Sequence, residues 1–158
     1  MHKVFFIFFV FSFPIILVAF SEGGAQVTHS SIDVAKSEVE RVLLTQQEAW
    51  NRHDLEGFMA GYWNSPDLTF FSGAKEKHGW QATMDRYRAT YASPGHEMGK
   101  LEFSGLRTEM LGGDAAFVRG AWLLTNSDGK APHGLFTLVF RKFPEGWKIV
   151  HDHTSAAK

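Results

Sequence analysis

The chain has 158 residues and a mass of 17.8 kDa, which suffices for one domain. Lysine and arginine together number 16, against 17 aspartate and glutamate residues. This balance argues against a nucleic-acid binder and against a polybasic membrane-surface protein. Hydrophobic residues make up 44% of the chain, which excludes a disordered protein. The absence of cysteine excludes disulfides, thiol nucleophiles and thiolate metal sites.

The first 25 residues have the pattern of a secretory signal peptide. Residues 1–3 supply a positive start, and residues 4–20 form an almost unbroken apolar run. Small residues at both ends of 23–25 provide a cleavage signal, and those of 19–21 provide a second one. An uncleaved membrane anchor is the alternative, although the run is short for a span and contains Pro14. We therefore expect a secreted or periplasmic protein.

The mature chain is expected to begin with a polar linker at residues 26–31 and to continue with helices. Apolar residues recur three and four positions apart from Ile32 to Trp50 and predict an amphipathic helix. Asp54 is a suitable N-cap for a second, short helix. The same spacing over residues 80–91 predicts a third helix, which ends before the Pro-Gly pair that follows.

Strand patterns lie between and after these helices. Residues 68–72 predict a short strand, followed by a loop at 73–77. Four longer strands are separated by glycine-containing turns typical of hairpins: 101–110, 115–125, 134–142 and 147–154. Helices first and antiparallel strands last predict one α+β domain over residues 32–155.

Turn chemistry predicts which side chains share a face of the sheet. A three-residue loop at 144–146 would place Leu138 opposite Asp152. A two-residue loop at 128–129 would place Arg119 opposite Leu138. Opposed residues share a face of the sheet. Arg119 and Asp152 would therefore both lie on the face that carries Leu138, with their side chains within reach of each other.

The opposite face of the sheet is predicted to be apolar as well. It would carry Trp122, Trp147, Ile149, His151 and His153. Three short helices can cover only one face of such a sheet. We therefore expect a homodimer in which this outer face buries against a second copy of the chain.

Three segments resemble the nuclear transport factor 2-like superfamily: Trp50–Asp54, Gly134–Phe140 and Gly146–Ser155. The last is similar to the closing motif of small secreted, SnoaL-like proteins of unknown function. It is also similar to the W-x-I-V-H-x-H ending of the association domain of calcium/calmodulin-dependent kinase II. The resemblance implies a cone-shaped, cystatin-like α+β fold, with three N-terminal helices packed on a curved antiparallel sheet, a pocket, and dimers through the outer face.

This fold hosts isomerases, dehydratases, cyclases, hydrolases and non-catalytic scaffolds, so the resemblance does not select an activity. The pocket of the kinase domain is lined by arginines. The positions that match two of them hold Leu138 and Thr154 in this chain, which gives no support to an anionic ligand.

The candidate catalytic group is Asp152, placed on an apolar face. It would act as a general base on a small apolar substrate, and Arg119 or Tyr62 would stabilise the anion formed. This chemistry belongs to a cofactor-independent isomerase, dehydratase or cyclase, and we expect no cofactor. The alternative is a structural Arg–Asp pair that orders the pocket wall.

Aromatic residues are expected to line the pocket around this group. The predicted ligand-binding set is Trp50, Phe58, Tyr62, Trp80, Tyr87, Arg119, Leu138 and Asp152. Such a set suits a small apolar or weakly polar molecule, bound without catalysis. The alternative for most of the aromatic residues is ordinary core packing. Arg86 and Arg88, on the third helix, are expected to form a solvated rim.

Two histidines offer a weak alternative of a metal site. His151 and His153 lie two apart on a strand, so they point the same way. A metal would need further ligands, for which His133 and Glu109 are candidates without any selecting spacing. Histidines that make hydrogen bonds within a subunit interface are the favoured interpretation, so we expect no metal.

Overall fold

The computed structural model describes residues 29–157. The predicted signal peptide at 1–25 lies outside this range, as does the start of the predicted linker. The helices are α1 (His29–Asn51), α2 (Leu55–Met59) and α3 (Trp80–Tyr91). Within residues 29–157, no helix combines the length and the apolar character needed to cross a membrane.

The strands form one six-stranded sheet with the order β2-β1-β6-β5-β4-β3. Strand β1 runs parallel to β6, and the other neighbouring pairs are antiparallel. Most of strand β2 lies in the segment that the sequence predicts as a loop. Its four side chains are all exposed, so no buried face marks it as a strand. The strand bounds are β1 (Thr69–Ser72), β2 (Lys75–His78), β3 (Lys100–Met110), β4 (Ala115–Thr125), β5 (His133–Phe143) and β6 (Gly146–Ala156).

The helices cover the concave face of the sheet. Helix α1 buries Val39, Leu43, Gln46 and Trp50, which recur at intervals of four, three and four residues. It begins at His29, inside the segment predicted as a linker. The buried stripe of α1 therefore faces the core, where the helix packs mainly on β3.

Helix α2 begins where the sequence predicts it. The Asp54 carboxylate accepts a hydrogen bond from the Gly57 amide at 2.7 Å, which satisfies a free donor of the first turn. The segment after this helix runs back to the sheet, where Tyr62 forms a bridge with Ile149. Helix α2 thus positions the segment that brings Tyr62 into the core.

The β5–β6 hairpin differs from the prediction in two compensating ways. Its loop is the two-residue Pro144-Glu145, so that Phe143 pairs with Gly146. Between the Val139–His151 and Phe140–Ile149 pairs, Val150 is an extra residue and forms a β-bulge. Beyond the bulge, Leu138 lies opposite Asp152, as predicted.

The β4–β5 loop has one more residue than predicted. Asn126 donates its amide to the Lys130 carbonyl at 2.9 Å, which leaves a three-residue loop with Gly129 at φ 81°. The whole of β4 is therefore shifted by one position. Val118, not Arg119, lies opposite Leu138. Since a shift of one residue exchanges the two faces, the predicted pairing of Arg119 with Asp152 is wrong.

The predicted composition of the outer face is also wrong at three positions. Trp147 and Ile149 are 4% and 1% exposed and belong to the core, because the shorter hairpin loop turns them inward. The register of β4 turns Trp122 toward the concave side, where it contributes to a cavity. His151 and His153 pair with residues of β1 and lie on the outer face.

Candidate functional site

A cavity of about 260 Å³ lies between the concave face of the sheet and the helices. Its wall combines residues of all three helices, of strands β1 and β3 to β6, and Tyr62 from the segment after α2. Most of the wall is aromatic or aliphatic, and Asp152 and Arg86 are the charged residues that line it within residues 29–157. The aromatic part of the wall includes Trp50, Phe58, Phe70, Tyr91, Phe103 and Phe136.

Six of the predicted ligand-binding residues line this cavity: Trp50, Phe58, Tyr62, Tyr87, Leu138 and Asp152. Trp80 does not line the cavity, because it packs behind α2 and donates its indole N–H to the Met59 carbonyl at 3.0 Å. Arg119 lies on the outer face, where its guanidinium is 3.7 Å from the Glu109 carboxylate. The structure therefore brings together the aromatic set and the carboxyl, without the arginine predicted for it.

Asp152 is a buried carboxyl with two hydrogen-bond donors. Its side chain is held on β6 just after the Val150 bulge, and the residue is 3% exposed. The Tyr62 hydroxyl donates to Oδ2 at 2.7 Å, and the Thr154 hydroxyl donates to Oδ1 at 2.9 Å. These donors fix the orientation of the carboxyl at the cavity wall.

Burial raises the pKa of Asp152 to about 6. The hydrogen bonds from Tyr62 and Thr154 act in the opposite direction, as do the positive charges of Arg86 and His153. The carboxyl consequently exchanges its proton within one to two pH units of neutrality. Such a group can accept a proton from a ligand or donate one to it.

Two tyrosine hydroxyls accompany the carboxyl. Burial and the nearby Asp152 charge raise the pKa of both Tyr62 and Tyr87, so both remain protonated. The ring of Phe58 lies between them, with centroids 5.9 Å from Tyr62 and 5.2 Å from Tyr87. The cavity thus has phenol donors beside its acidic group.

Arg86 is the cationic group of the cavity, and the sequence interpretation of a solvated rim is wrong for it. Its guanidinium carbon lies 4.8 Å from the Phe70 ring centroid and 5.8 Å from that of Tyr87. One of its nitrogens donates to the Ser72 hydroxyl at 3.0 Å. The sequence carries no distinct signal for this position: Arg86 follows Thr83, which the structure buries, by three positions and so lies beside the buried stripe of α3, where a charged side chain can face either solvent or a cavity.

Gln46 is a second polar residue that the sequence interpretation did not assign to the site. It is 2% exposed and lines the cavity. Its Nε2 donates to the Phe58 carbonyl at 2.8 Å. Gly61 leaves room for it, since a Cβ at that position would lie 2.6 Å from the amide carbon. Its place in the apolar stripe of α1 gave no sign of a role in the site.

The four candidate metal ligands are not brought together. Within residues 29–157, no group of three or more histidine, aspartate or glutamate side chains is placed to hold a metal ion. The Nδ1 atom of His151 lies 2.6 Å from the Thr69 hydroxyl, and the His151 and His153 rings both pack against Phe71. His133 contacts the Ala131 carbonyl, and Glu109 pairs with Arg119.

A curved sheet covered by helices, with an apolar cavity and one buried carboxyl between them, defines an α+β fold of the nuclear transport factor 2-like type. The structure is similar to a nuclear transport factor 2-like protein of unknown function from Shewanella oneidensis, with 36% identity and a TM-score of 0.70. That likeness covers 75% of this chain and 97% of the other.

Two more distant structures have the same fold. One is a protein of unknown function with a cystatin-like fold from Nostoc punctiforme, with 14% identity and a TM-score of 0.65, covering 77% of this chain and 90% of the other. The second is a nuclear transport factor 2-like protein from Streptomyces avermitilis that has been proposed to be a dehydratase. It has 20% identity and a TM-score of 0.66, covering 80% of this chain and 99% of the other.

The chain belongs to the SnoaL-like domain family, whose model matches residues 39–158. No curated protein matches the chain. The predicted membership of the nuclear transport factor 2-like superfamily is therefore confirmed.

Proposed function

We propose that the protein binds one small, largely apolar molecule with a polar group in the cavity, and that Asp152 makes the polar contact. The observation that carries this proposal is a buried carboxyl in the wall of an aromatic cavity of about 260 Å³. Polar groups in an otherwise apolar pocket typically orient a ligand. A cavity of about 150 Å³ accepts benzene, so this volume suits a ligand of roughly ten non-hydrogen atoms.

Binding can be tested with 4-fluorobenzyl alcohol, which carries one ring and one hydroxyl, observed by fluorine NMR. Leu138→Phe would fill part of the cavity, and Leu135→Phe places the same side chain on the exposed face of the same strand. We expect saturable binding to the wild type and to the Leu135 variant, with an affinity at least about tenfold weaker in the Leu138 variant. Equal affinity for all three proteins, or no binding to any of them, would contradict the proposal.

The second candidate function is proton transfer, and the pKa of about 6 for Asp152 favours it. The ionised carboxyl would take a proton from the carbon next to a ketone. Arg86, which lines the same cavity, would stabilise the negative charge on the enolate oxygen. Arg119, the residue predicted for that role, lies on the outer face of the sheet, away from the cavity.

Exchange of the α-protons of cyclohexanone in heavy water tests this chemistry. We expect deuterium incorporation above the buffer rate with the wild type and a return to the buffer rate with Asp152→Asn. Exchange at the buffer rate with the wild type rejects catalysis on this ketone while leaving ligand binding intact.

We also propose that the outer face of the sheet pairs with a second copy of the chain. Its apolar side chains Phe71, Phe117, Leu123 and Val139 are only half-buried, and Leu135 is 65% exposed. Burial of such a surface stabilises a dimer. Analytical ultracentrifugation should give a dimer that Val139→Glu converts to a monomer, whereas Leu44→Glu, on an exposed site of α1, should not. A monomeric wild-type protein at micromolar concentration would refute the dimer.

Export is proposed on the leader pattern of residues 1–25 alone. The protein would then be secreted or periplasmic after cleavage. Intact mass measurement of the protein recovered from outside the cytoplasm should give a mature chain that lacks these residues. Recovery of the full-length chain in the membrane fraction would support the anchor instead.

A further inference from the structure

Among residues 29–157, the cavity wall holds a cation that forms no salt bridge, although its charge also acts on the Asp152 carboxyl across the cavity. Within residues 29–157, the ion pairs do not include Arg86, although this side chain lies in the cavity wall. Its neighbour Arg88, two positions along α3, pairs with Glu56 at 3.3 Å and lies near Asp85 at 3.8 Å. The two arginines of one helix therefore differ, since only the exposed one forms salt bridges with carboxylates of the protein.

Arg86 is held in position by contacts that leave most of its donors free. The Phe70 and Tyr87 rings flank the guanidinium, and the Ser72 hydroxyl takes one of its hydrogen bonds. A guanidinium has five N–H donors in a planar fork. Donors that remain beside a cavity can bind a planar anion with two parallel hydrogen bonds.

We propose that Arg86 recognises an anion in this cavity and that the natural ligand is a small ring compound with one carboxylate. This inference rests on the proposed ligand-binding function and names the class of ligand. The ring would pack against the aromatic wall, and the carboxylate would pair with the guanidinium. Ser72, which is a positioning residue, orients the fork.

Charge in the cavity favours a carboxylate over a phosphate. Arg86 is the only lysine or arginine among the described residues that line the cavity. A phosphate dianion would be neutralised only in part by one guanidinium, and the Asp152 carboxyl in the same cavity would repel its two charges more strongly than the single charge of a carboxylate. A monoanion with an apolar body matches both the single cation and the aromatic wall.

Two probes of nearly the same size separate the contribution of the charge from that of the ring. 4-Fluorobenzoate carries the carboxylate, and 4-fluorobenzyl alcohol is the neutral match; both are observed by fluorine NMR at pH 7.5. We expect the wild type to bind the benzoate at least about tenfold more tightly than the alcohol, as charge-assisted pairing predicts. Arg86→Gln should abolish that preference, and an unchanged near-ultraviolet circular dichroism spectrum reports that the aromatic wall of the cavity is still folded in this variant.

Further variants control for charge and position. Arg86→Lys keeps the charge but not the fork, so an intermediate preference is expected. Arg88→Gln removes a positive charge from the same helix outside the cavity, and the wild-type preference should remain. Equal wild-type affinity for both probes, or an undiminished preference in Arg86→Gln, would overturn this inference and leave the proposed function standing. Failure of both probes to bind the wild type would overturn the proposed function together with it.

Discussion

Strand β6 places two kinds of chemistry on the two faces of one sheet. Asp152 points to the concave side and is 3% exposed, whereas its neighbours His151 and His153 lie on the outer side. Burial favours the neutral form on both sides, since it raises the pKa of Asp152 and lowers that of His151. The difference lies in what surrounds each group, which is a closed aromatic cavity on one side and an open surface on the other.

One irregular residue in β6 decides which of its side chains face the cavity. Val150 forms the bulge that lets Ile149 and Asp152 both face inward, although they are three positions apart. Without the bulge, strict alternation would place one of them on the outer face. The Asp152 carboxyl therefore lies in the cavity because of the bulge in β6.

The largest expected effect compares a side chain packed on the concave side of the sheet with one on its outer side, by their contributions to the free energy of unfolding. Trp50 is 2% exposed, makes edge contacts with three aromatic rings, and donates its indole N–H to the Met98 carbonyl at 2.9 Å. We expect Trp50→Ala to lower the free energy of unfolding by about 3–5 kcal/mol. Leu135→Ala, at an outer position that is 65% exposed, should change it by less than ~0.5 kcal/mol. Urea unfolding of the two variants under monomeric conditions measures both values, and similar losses would contradict the contrast.

The next effect is a pH dependence that belongs to the concave face. The Asp152 pKa is about 6 in the folded protein and 3.8 ordinarily, so the folded state binds more protons between these values. Stability should therefore fall as the pH rises from about 3 to about 7, by about 3 kcal/mol in total, and then remain level with respect to this group.

Asp152→Asn removes this titrating carboxyl. The difference in unfolding free energy between the variant and the wild type therefore isolates its contribution from that of the rest of the molecule. Around the side chain, Tyr62, Thr154, Arg86 and His153 are present in both proteins, so their contributions cancel in the difference. We expect the unfolding free energy of the variant, relative to the wild type, to increase by about 2 kcal/mol between pH 4 and pH 7.5. A difference that does not change with pH would show that the carboxyl titrates normally.

The smallest effect concerns the arginine on the outer face. The Arg119 side chain is 52% exposed, and its partner Glu109 is 60% exposed. Solvent screens such a pair, so Arg119→Gln should alter the unfolding free energy by less than ~0.5 kcal/mol. It should also leave the binding of 4-fluorobenzyl alcohol unchanged, as measured by fluorine NMR. A loss of binding in this variant would place Arg119 back in the site.

The candidate site was predictable to the extent that it depends on local pattern. The helical spacing identified Trp50 and Tyr87 as inward residues, and the distal pairing of β5 with β6 placed Asp152 correctly. Arg119 was misplaced because the loop at 127–129 has three residues, and Asp-Gly chemistry is compatible with either length. Arg86 was missed because a charged residue beside an apolar stripe gives the same pattern whether it faces solvent or a cavity.

The amino-acid sequence by itself determined the α+β class, the apolar faces of α1 and α3, the N-cap at Asp54, and the superfamily. The superfamily followed from the resemblance of three segments to known members. The other features follow from periodicity and turn chemistry, which act over a few neighbouring residues. Only the tertiary structure decided which side of the sheet each strand residue faces and which charges enter the cavity. The physical reason is that a loop length and a bulge each shift every following residue by one position, and their combined effect is settled by packing across the whole sheet.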